Sequence, residues 1–388
     1  MPFRLFANPR FGRPRIAPLP EVGFQRARAE ITSWEGYSPT PLHDLPPVAR
    51  AAGLDAIWLK DEATRFGLGS FKALGGAYAV AWVLSGELRR RGLALEARSA
   101  DLAQGGYRSA TEALVVTCAT DGNHGRAVAW GARRFHCGCV IFVHEGVSQG
   151  RVDAIACYGA QVRRVSGTYD DAVREAARQA QVNGWFVVSD TSWTGYTEVP
   201  RQVMQGYRVM ADEAADQWDD PQPSHVFVQG GVGGMAAAVS VQMHARFHPA
   251  PALIVVEPDR AACLLASAEL GQAATIPGNL DTLMAGLACG EPSLLAWQEL
   301  NHAVTAFMAI PDEAAVACMR LLAEYDIVAG ESGVAALAGC LLAAADPAAR
   351  ETLGLGGSSR VLAFSTEGAT DPAVYEQLVG RRPETVMS

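Results

Sequence analysis

Gly69-Ser70-Phe71-Lys72-Ala73-Leu74-Gly75-Gly76 joins a strand-like run, residues 56–59, to an apolar helical run, residues 72–90. Lys72 opens that helix. A helix N-terminus already carries partial positive charge, so a lysine there is electrostatically awkward. Its small and apolar neighbours also favour a neutral amine. A neutral amine is a nucleophile that condenses with carbonyl compounds. The competing reading is a solvated surface lysine, the ordinary fate of this residue type. The rest of the chain decides between the two.

Outward from this stretch, strand-like and helix-like segments alternate. Residues 114–117, 140–143, 162–165 and 185–188 read as short strands. Helical runs at 124–135, 148–158 and 169–183 fall between them. A long helical stretch covers 199–218. Then come a strand at 225–229, a glycine loop, a helix at 235–247 and a buried strand at 253–256. The last part reads as mostly helical over 312–345 and closes on a strand at 360–365. Such alternation predicts an α/β fold of parallel strands with crossover helices. Residues 96–112 are polar without clear periodicity and suggest a surface insertion, and 354–359 reads as a loop.

The chain has 388 residues, 49% apolar and 8% aromatic, with net charge -9. That length suits two domains, or one large divided unit. The longest basic cluster is Arg89-Arg90-Arg91, placed where a helix C-terminus favours positive charge. A nucleic-acid partner is not expected, because phosphate binding needs a positive face. No apolar run reaches the length of a membrane span, and residues 1–6 do not read as a signal peptide. The eight cysteines are scattered, and Cys137-Gly138-Cys139 lacks zinc-ligand spacing. A reducing cytoplasm is the simplest compartment, and no metal is expected. Whether Cys263 and Cys289 approach each other is left open.

Two loops carry further chemistry. Gln229-Gly230-Gly231-Val232-Gly233-Gly234 lies between a strand and a helix, where glycines admit an anion to free backbone N–H groups. Its spacing suits a compact phosphate monoester. No Lys-Ser or Lys-Thr follows, so it is not an NTP-binding loop. Thr120-Asp121-Gly122-Asn123-His124-Gly125 also follows a strand and opens a helix, at the end of a parallel sheet where ligands bind. Asp121 is either a helix cap or a functional carboxylate, and Asn123 either a turn residue or a ligand contact. His124 reads as a packed core histidine rather than a proton carrier.

Phe71-Lys72, Gly122-Asn123-His124 and the glycine loop occur in the order and spacing of fold type II pyridoxal-phosphate (PLP) enzymes. The chain resembles that group, which includes threonine dehydratase and cysteine synthase. More narrowly it is similar to the diaminopropionate ammonia-lyases. The likeness runs from Tyr37 to Asp371. It is carried also by residues 60–67, Gly195-Tyr196-Thr197, residues 284–292, Gly330-Glu331-Ser332-Gly333 and Ser365-Thr366-Glu367-Gly368.

The resemblance implies two open, twisted, mostly parallel sheets flanked by helices. Residues 1–80 and 196–388 would form a large PLP-binding domain, and 81–195 a small mobile domain inserted in it. It implies PLP as cofactor, a small amino-acid substrate and a homodimer. Lys72 would bond the cofactor, with Phe71 beside it. Asn123 would contact the ring hydroxyl. Gly230, Gly231, Val232, Gly233 and Gly234 would hold the phosphate, and Ser365 or Thr366 would face the pyridine nitrogen. Lys72, Asp121 and Asp190 would be catalytic, and Thr120, Asp121, Gly122, His124 and Asp190 would meet the substrate. Asp121 stands where many relatives have Ser or Ala. A carboxylate beside a carboxylate-binding loop needs a compensating cation, which a second substrate amine supplies. Asp190 resembles a second acidic residue of the family's site that binds this amine, or it is a strand-end cap. The implied reaction is α,β-elimination of D- and L-2,3-diaminopropionate to pyruvate and two ammonia.

Two segments depart from the pattern. Residues 324–329 are shorter than the resemblance leads one to expect, and the Pro-rich stretch 9–20 matches nothing in it. Three other readings compete. One is a serine or threonine dehydratase on the same fold. Another is a non-catalytic sensor that kept the fold. The third is a nicotinamide-dependent oxidoreductase, for which Glu257 stands at the distance of a ribose-binding acid after the glycine loop.

Overall fold

The structure is a computed structural model that describes residues 1–13, 18–120, 122–219, 221–278 and 280–386, with only the backbone of Asp170. Eleven strands occur among the described residues. They are β1 (Arg4–Ala7), β2 (Leu42–Asp44), β3 (Ala56–Asp61), β4 (Val115–Ala119), β5 (Gly138–His144), β6 (Gln161–Val165), β7 (Phe186–Val187), β8 (His225–Gln229), β9 (Ala252–Pro258), β10 (Ala306–Ile310) and β11 (Arg360–Ser365). The helices that shape the candidate site are α1 (Glu21–Thr32), α2 (Lys72–Arg90), α3 (Asn123–Arg134), α4 (Glu198–Gln217), α5 (Gly234–Arg246) and α6 (Cys263–Leu270).

The chain separates into two compact units. One comprises residues 1–18, 39–70 and 210–388; the other comprises 19–38 and 71–209. The second unit takes in residues on both sides of the stretch 81–195. The reason is helix packing. Gly76 lies against Ala127, and Gly131 against the backbone of Ala77, so α2 and α3 cross at a distance only small residues permit. This ties all of α2 to the smaller unit. Helix α1 packs on α2 and joins it.

The larger unit is built on a seven-stranded sheet in the order β1-β10-β9-β8-β11-β3-β2. Its five central strands are parallel and its two edge strands antiparallel. All residues of β8 and β10 are buried, as expected for parallel strands covered on both faces. The smaller unit holds a four-stranded, fully parallel sheet in the order β6-β5-β4-β7. Two mostly parallel sheets flanked by helices match the expected fold class.

Several elements depart from the sequence reading. The edge strands β1 and β2 are too short to carry an alternating pattern. Strand β10, Ala-Phe-Met-Ala-Ile, has few β-branched residues to announce it. The run 312–345 is two helices, Asp312–Ala323 and Ala335–Ala345, parted by Gly330-Glu331-Ser332-Gly333. Residues 96–112 are more than a surface insertion. They contain two short helices, and Ser99 is buried, accepting from Trp34 Nε1 at 2.8 Å while its own hydroxyl donates to Glu30.

The stretch after β3 is held by buried charge. Arg65 reaches Glu62 at 2.8 Å and Glu213 at 2.7 Å. Lys60 Nζ lies 2.8 Å from Glu213 and donates to the Thr40 carbonyl at 2.7 Å. Arg65 uses both edges of its guanidinium, binding each carboxylate through two contacts. The charged motif 60–67 thus fixes the larger unit internally, because each buried charge has a partner.

Candidate active site

In the smaller unit Lys72 is the first residue of α2, and Phe71 precedes it with no side-chain cap. Lys72 Nζ donates to Asp190 Oδ2 at 2.5 Å. A carboxylate in contact favours the ammonium over the neutral amine expected from the sequence. Burial by itself raises the Asp190 carboxyl, but positive charge at His124 and Lys72 outweighs it and holds the group well below the usual range. Near neutral pH the Lys72 charge carries this effect. Burial pushes the His124 imidazolium down, and its Nε2 donates to the Val188 carbonyl at 2.8 Å. His124 Nδ1 lies 3.7 Å from Asp190, beyond hydrogen-bond distance.

Asp190 follows β7 on a segment that Tyr196 clamps. The Tyr196 hydroxyl donates to the Val187 carbonyl at 2.8 Å and accepts from the Ser189 amide at 3.1 Å. Trp193 stacks on the Tyr196 ring with centroids 4.4 Å apart. The Gly195-Tyr196-Thr197 motif thereby acquires a physical task, which is to aim Asp190 at Lys72. Thr120 follows β4, and its hydroxyl accepts from the amides of Gly122 and Gly125, each at 3.0 Å. It shapes the turn that starts α3 at Asn123. Asp121 lies outside the described residues.

In the larger unit β8 and β11 are neighbours, so their carboxyl ends lie side by side. The glycine loop leaves β8 there. Gly230 donates to the Val256 carbonyl at 2.8 Å. The amides of Gly231, Val232, Gly233 and Gly234 have no hydrogen-bond partner among the described residues. A Cβ on Gly230 would come 2.7 Å from both Leu264 and Val255, and Gly233 has a φ of 91°. Larger residues are excluded from this turn, which presents its N–H groups ahead of α5.

Gln229, which the sequence reading passed over, knits the loop to its surroundings. Its Nε2 donates to the Gly333 carbonyl and to Thr366 Oγ1, each at 2.8 Å. Ser332 Oγ accepts from Gly286 at 3.0 Å, and Gly330 donates to the Glu367 carbonyl at 2.9 Å. Motif segments at 284–292, 330–333 and 365–368 therefore converge on one place. Of the two hydroxyls expected near a ring nitrogen, Thr366 is engaged by Gln229. Ser365 Oγ is buried with no partner among the described residues.

Glu257 accepts from the amides of Leu264 and Leu265, both at 2.8 Å, and so caps α6. Burial pushes its carboxyl up to about 8, against those two donors. A carboxylate committed to a helix end inside the core is not free to bind a ribose, which removes the footing of the nicotinamide reading. Each of the eight cysteines is a thiol. Cys263 Sγ lies 3.5 Å from the Gly231 carbonyl, and Cys289 Sγ would sit 3.3 Å from a Cβ on Gly231. No group of three or more metal-ligating side chains occurs among the described residues.

Residues 34–366 match the model of the pyridoxal-phosphate dependent enzyme family. The chain belongs to that family. Diaminopropionate ammonia-lyase of Escherichia coli K12 is 40% identical over 356 residues, which cover 89% of this chain and 88% of the relative. The crystal structure of the Escherichia coli enzyme in complex with D-serine superposes with a TM-score of 0.88 at 36% identity, covering 97% of each chain. The biosynthetic L-threonine dehydratase of Salmonella typhimurium LT2 is 28% identical over 81% of this chain and 54% of its own length.

The residues present fit the cofactor of this PLP-dependent family. In the larger unit, unpartnered amides at a helix start suit a phosphate and the orphaned Ser365 hydroxyl suits a ring nitrogen; in the smaller unit, the Lys72 amine suits an aldehyde. The missed residues left faint signals. Gln229 ends an apolar strand where a polar residue needs a reason. Gly206, inside a helix, lowers helix propensity by about 1 kcal/mol relative to alanine and marks close packing, next to Tyr207.

Proposed function

We propose that this chain is a carbon–nitrogen lyase that converts 2,3-diaminopropionate, of either configuration, and water to pyruvate and two ammonia. The observation that carries the reading is the Lys72–Asp190 pair. With the cofactor bound, Lys72 would be directed to its aldehyde and no longer held against Asp190 as a free ammonium. A buried carboxylate left alone is strongly destabilising, so the site then favours a substrate that brings a second ammonium. Diaminopropionate does so, and serine and threonine do not. The high identity to diaminopropionate ammonia-lyase supports the same choice.

PLP, when bound, supplies the electron sink that stabilises negative charge at the substrate Cα. This chain's residues bind, orient and move protons. The amides of 231–234 would hold the phosphate and Asn123 the ring hydroxyl. Ser365 would offer a neutral hydroxyl to the ring nitrogen rather than a carboxylate, which would favour rapid loss of the leaving group over prolonged delocalisation. Lys72, released as substrate takes its place, removes the Cα proton from one face. Asp121 takes it from the other, which accounts for reaction of both enantiomers. The Cβ–N bond then breaks, its electron pair leaving with the protonated amine as ammonia. Water hydrolyses the remaining enamine to pyruvate and the second ammonia.

The test is pyruvate formation from D- and L-diaminopropionate, L-serine and L-threonine under matched conditions. The diaminopropionates are expected to show the higher kcat/KM. A clear preference for serine or threonine overturns the substrate assignment in favour of a dehydratase. We further propose a cytoplasmic homodimer. No helix among the described residues is long and apolar enough to cross a membrane. Sedimentation equilibrium measures the assembly.

A further inference from the structure

Tyr207 stands outside the constellation described so far. Its ring lies on the first turn of α2, where a Cβ on Gly75 would come 2.4 Å from Tyr207 Cε1. The ring centroid is 4.6 Å from that of Phe71 and 5.5 Å from Lys72 Nζ. The side chain is 1% exposed, and its hydroxyl makes no well-formed hydrogen bond among the described residues, although the Lys72 amine lies close enough to pull on its proton. A buried hydroxyl without a partner is costly, and this one is maintained beside the reactive amine.

The groups around Lys72 sort by what they can donate. Lys72 comes from α2, Cys118 from β4, His124 from α3 and Asp190 from the segment after β7. Lys72, Asp190 and Cys118 all bear on the phenol, and burial keeps its proton on. An ammonium at Lys72 is served by the Asp190 carboxylate. A neutral amine needs a donor for its lone pair. Asp190 as a carboxylate has no proton to give, and His124 has committed its Nε2–H to Val188. Cys118 is a weak donor. Of these groups the Tyr207 O–H remains.

We propose that the Tyr207 hydroxyl is a second seat for the Lys72 amine, donating to it when it is neutral and detached from Asp190, so that Tyr207 positions the base for proton transfer at Cα. The two partners then divide the two protonation states of one amine between them. The inference rests on the reading of Lys72 given above.

The test is Tyr207→Phe in the full-length holoenzyme, which keeps the ring and removes only the hydroxyl. The cofactor's visible band and the thermal midpoint are expected to stay unchanged, and KM to stay within about twofold. A fall in kcat of about tenfold is expected for one lost hydrogen bond. Without its donor the neutral amine is less stabilised and holds a proton to higher pH, so the acidic limb of kcat moves upward in pH. A second readout needs no turnover. Brief acetic-anhydride labelling of the PLP-free protein, followed by peptide mapping, reports the titration of Lys72, and its midpoint is expected to rise in the variant. Unchanged kcat, pH limb and labelling would show that the hydroxyl only fills space. Loss of the cofactor band together with thermal stability would show that it serves the fold, which equally overturns the proposal. A wild-type protein lacking any Lys72-dependent cofactor band defeats the functional reading itself, independently of Tyr207.

Discussion

Asp190 is a buried carboxylate that can be deprived of its cation, and this property is testable by linkage. Its folded-state pKa is depressed, so the stability it contributes is present above its unfolded value, about 3.9. That stability is lost as pH falls through and below that value. In the PLP-free protein Asp190→Asn is expected to lower stability at pH 7 by about 1.5–3 kcal/mol, the range for a hydrogen bond to a charged group. The gap to wild type should close on acidification below about pH 4. Thermal midpoints of both proteins across that range check it, and a gap independent of pH sinks the assignment. Activity gives a second prediction. Asp121→Asn is expected to lose more kcat on D- than on L-diaminopropionate, and equal losses would make Asp121 a binding group. At this scale the sequence was half legible. Lys72, Asn123 and the glycine loop announce themselves by type and spacing. The Lys72–Asp190 contact spans 118 positions and needs the fold to be seen. Ser365 and Thr366 look alike in sequence, and only the Gln229 amide separates them.

Helices α2 and α4 meet through glycine on both sides. A Cβ on Gly206 would fall 2.0 Å from the Leu74 carbonyl oxygen, and one on Gly75 would fall 2.6 Å from that of Val203. Both obstructions include backbone, so neither helix can yield by a side-chain rotation. Gly206→Ala is therefore expected to destabilise by about 1–3 kcal/mol as overpacking, although alanine in an open helix position would stabilise by about 1 kcal/mol. Urea unfolding of the variant measures the sign, and a gain in stability would show that the helices do not touch there. The elements differ in how much they disclose in advance. Buried parallel strands such as β8, β9 and β11 show as short apolar runs, and long helices as periodic ones. The division of the chain into units does not show, because it follows from which helix α2 touches rather than from a change in composition. Likewise β1 and β2 exist by pairing with a neighbour, information absent from three or four residues alone.

At the scale of the whole molecule, the phosphate seat and the amine come, on the proposed reading, from segments far apart in the chain, so on that reading their two contributions to cofactor binding are separable. Lys72→Ala removes the covalent link but leaves the unpartnered amides of 231–234 and the Ser365 hydroxyl untouched. Ligand bound only to the folded state stabilises it by about 2.7 kcal/mol at 100 times its dissociation constant. PLP is therefore expected to raise the thermal midpoint of Lys72→Ala in a concentration-dependent way, without the Lys72-dependent visible band. Pyridoxal, which lacks the phosphate, is expected to do so far more weakly, and inorganic phosphate to compete with PLP. The converse protein, Gly230→Val, keeps the lysine but crowds Leu264 and Val255, each already 2.7 Å from the position of a first added carbon. It is expected to need much more PLP to develop the band. Differential scanning fluorimetry with absorbance titration reads both variants. If PLP and pyridoxal stabilise Lys72→Ala equally, the glycine loop is not the phosphate seat, and the cofactor's orientation along this chain must be assigned anew.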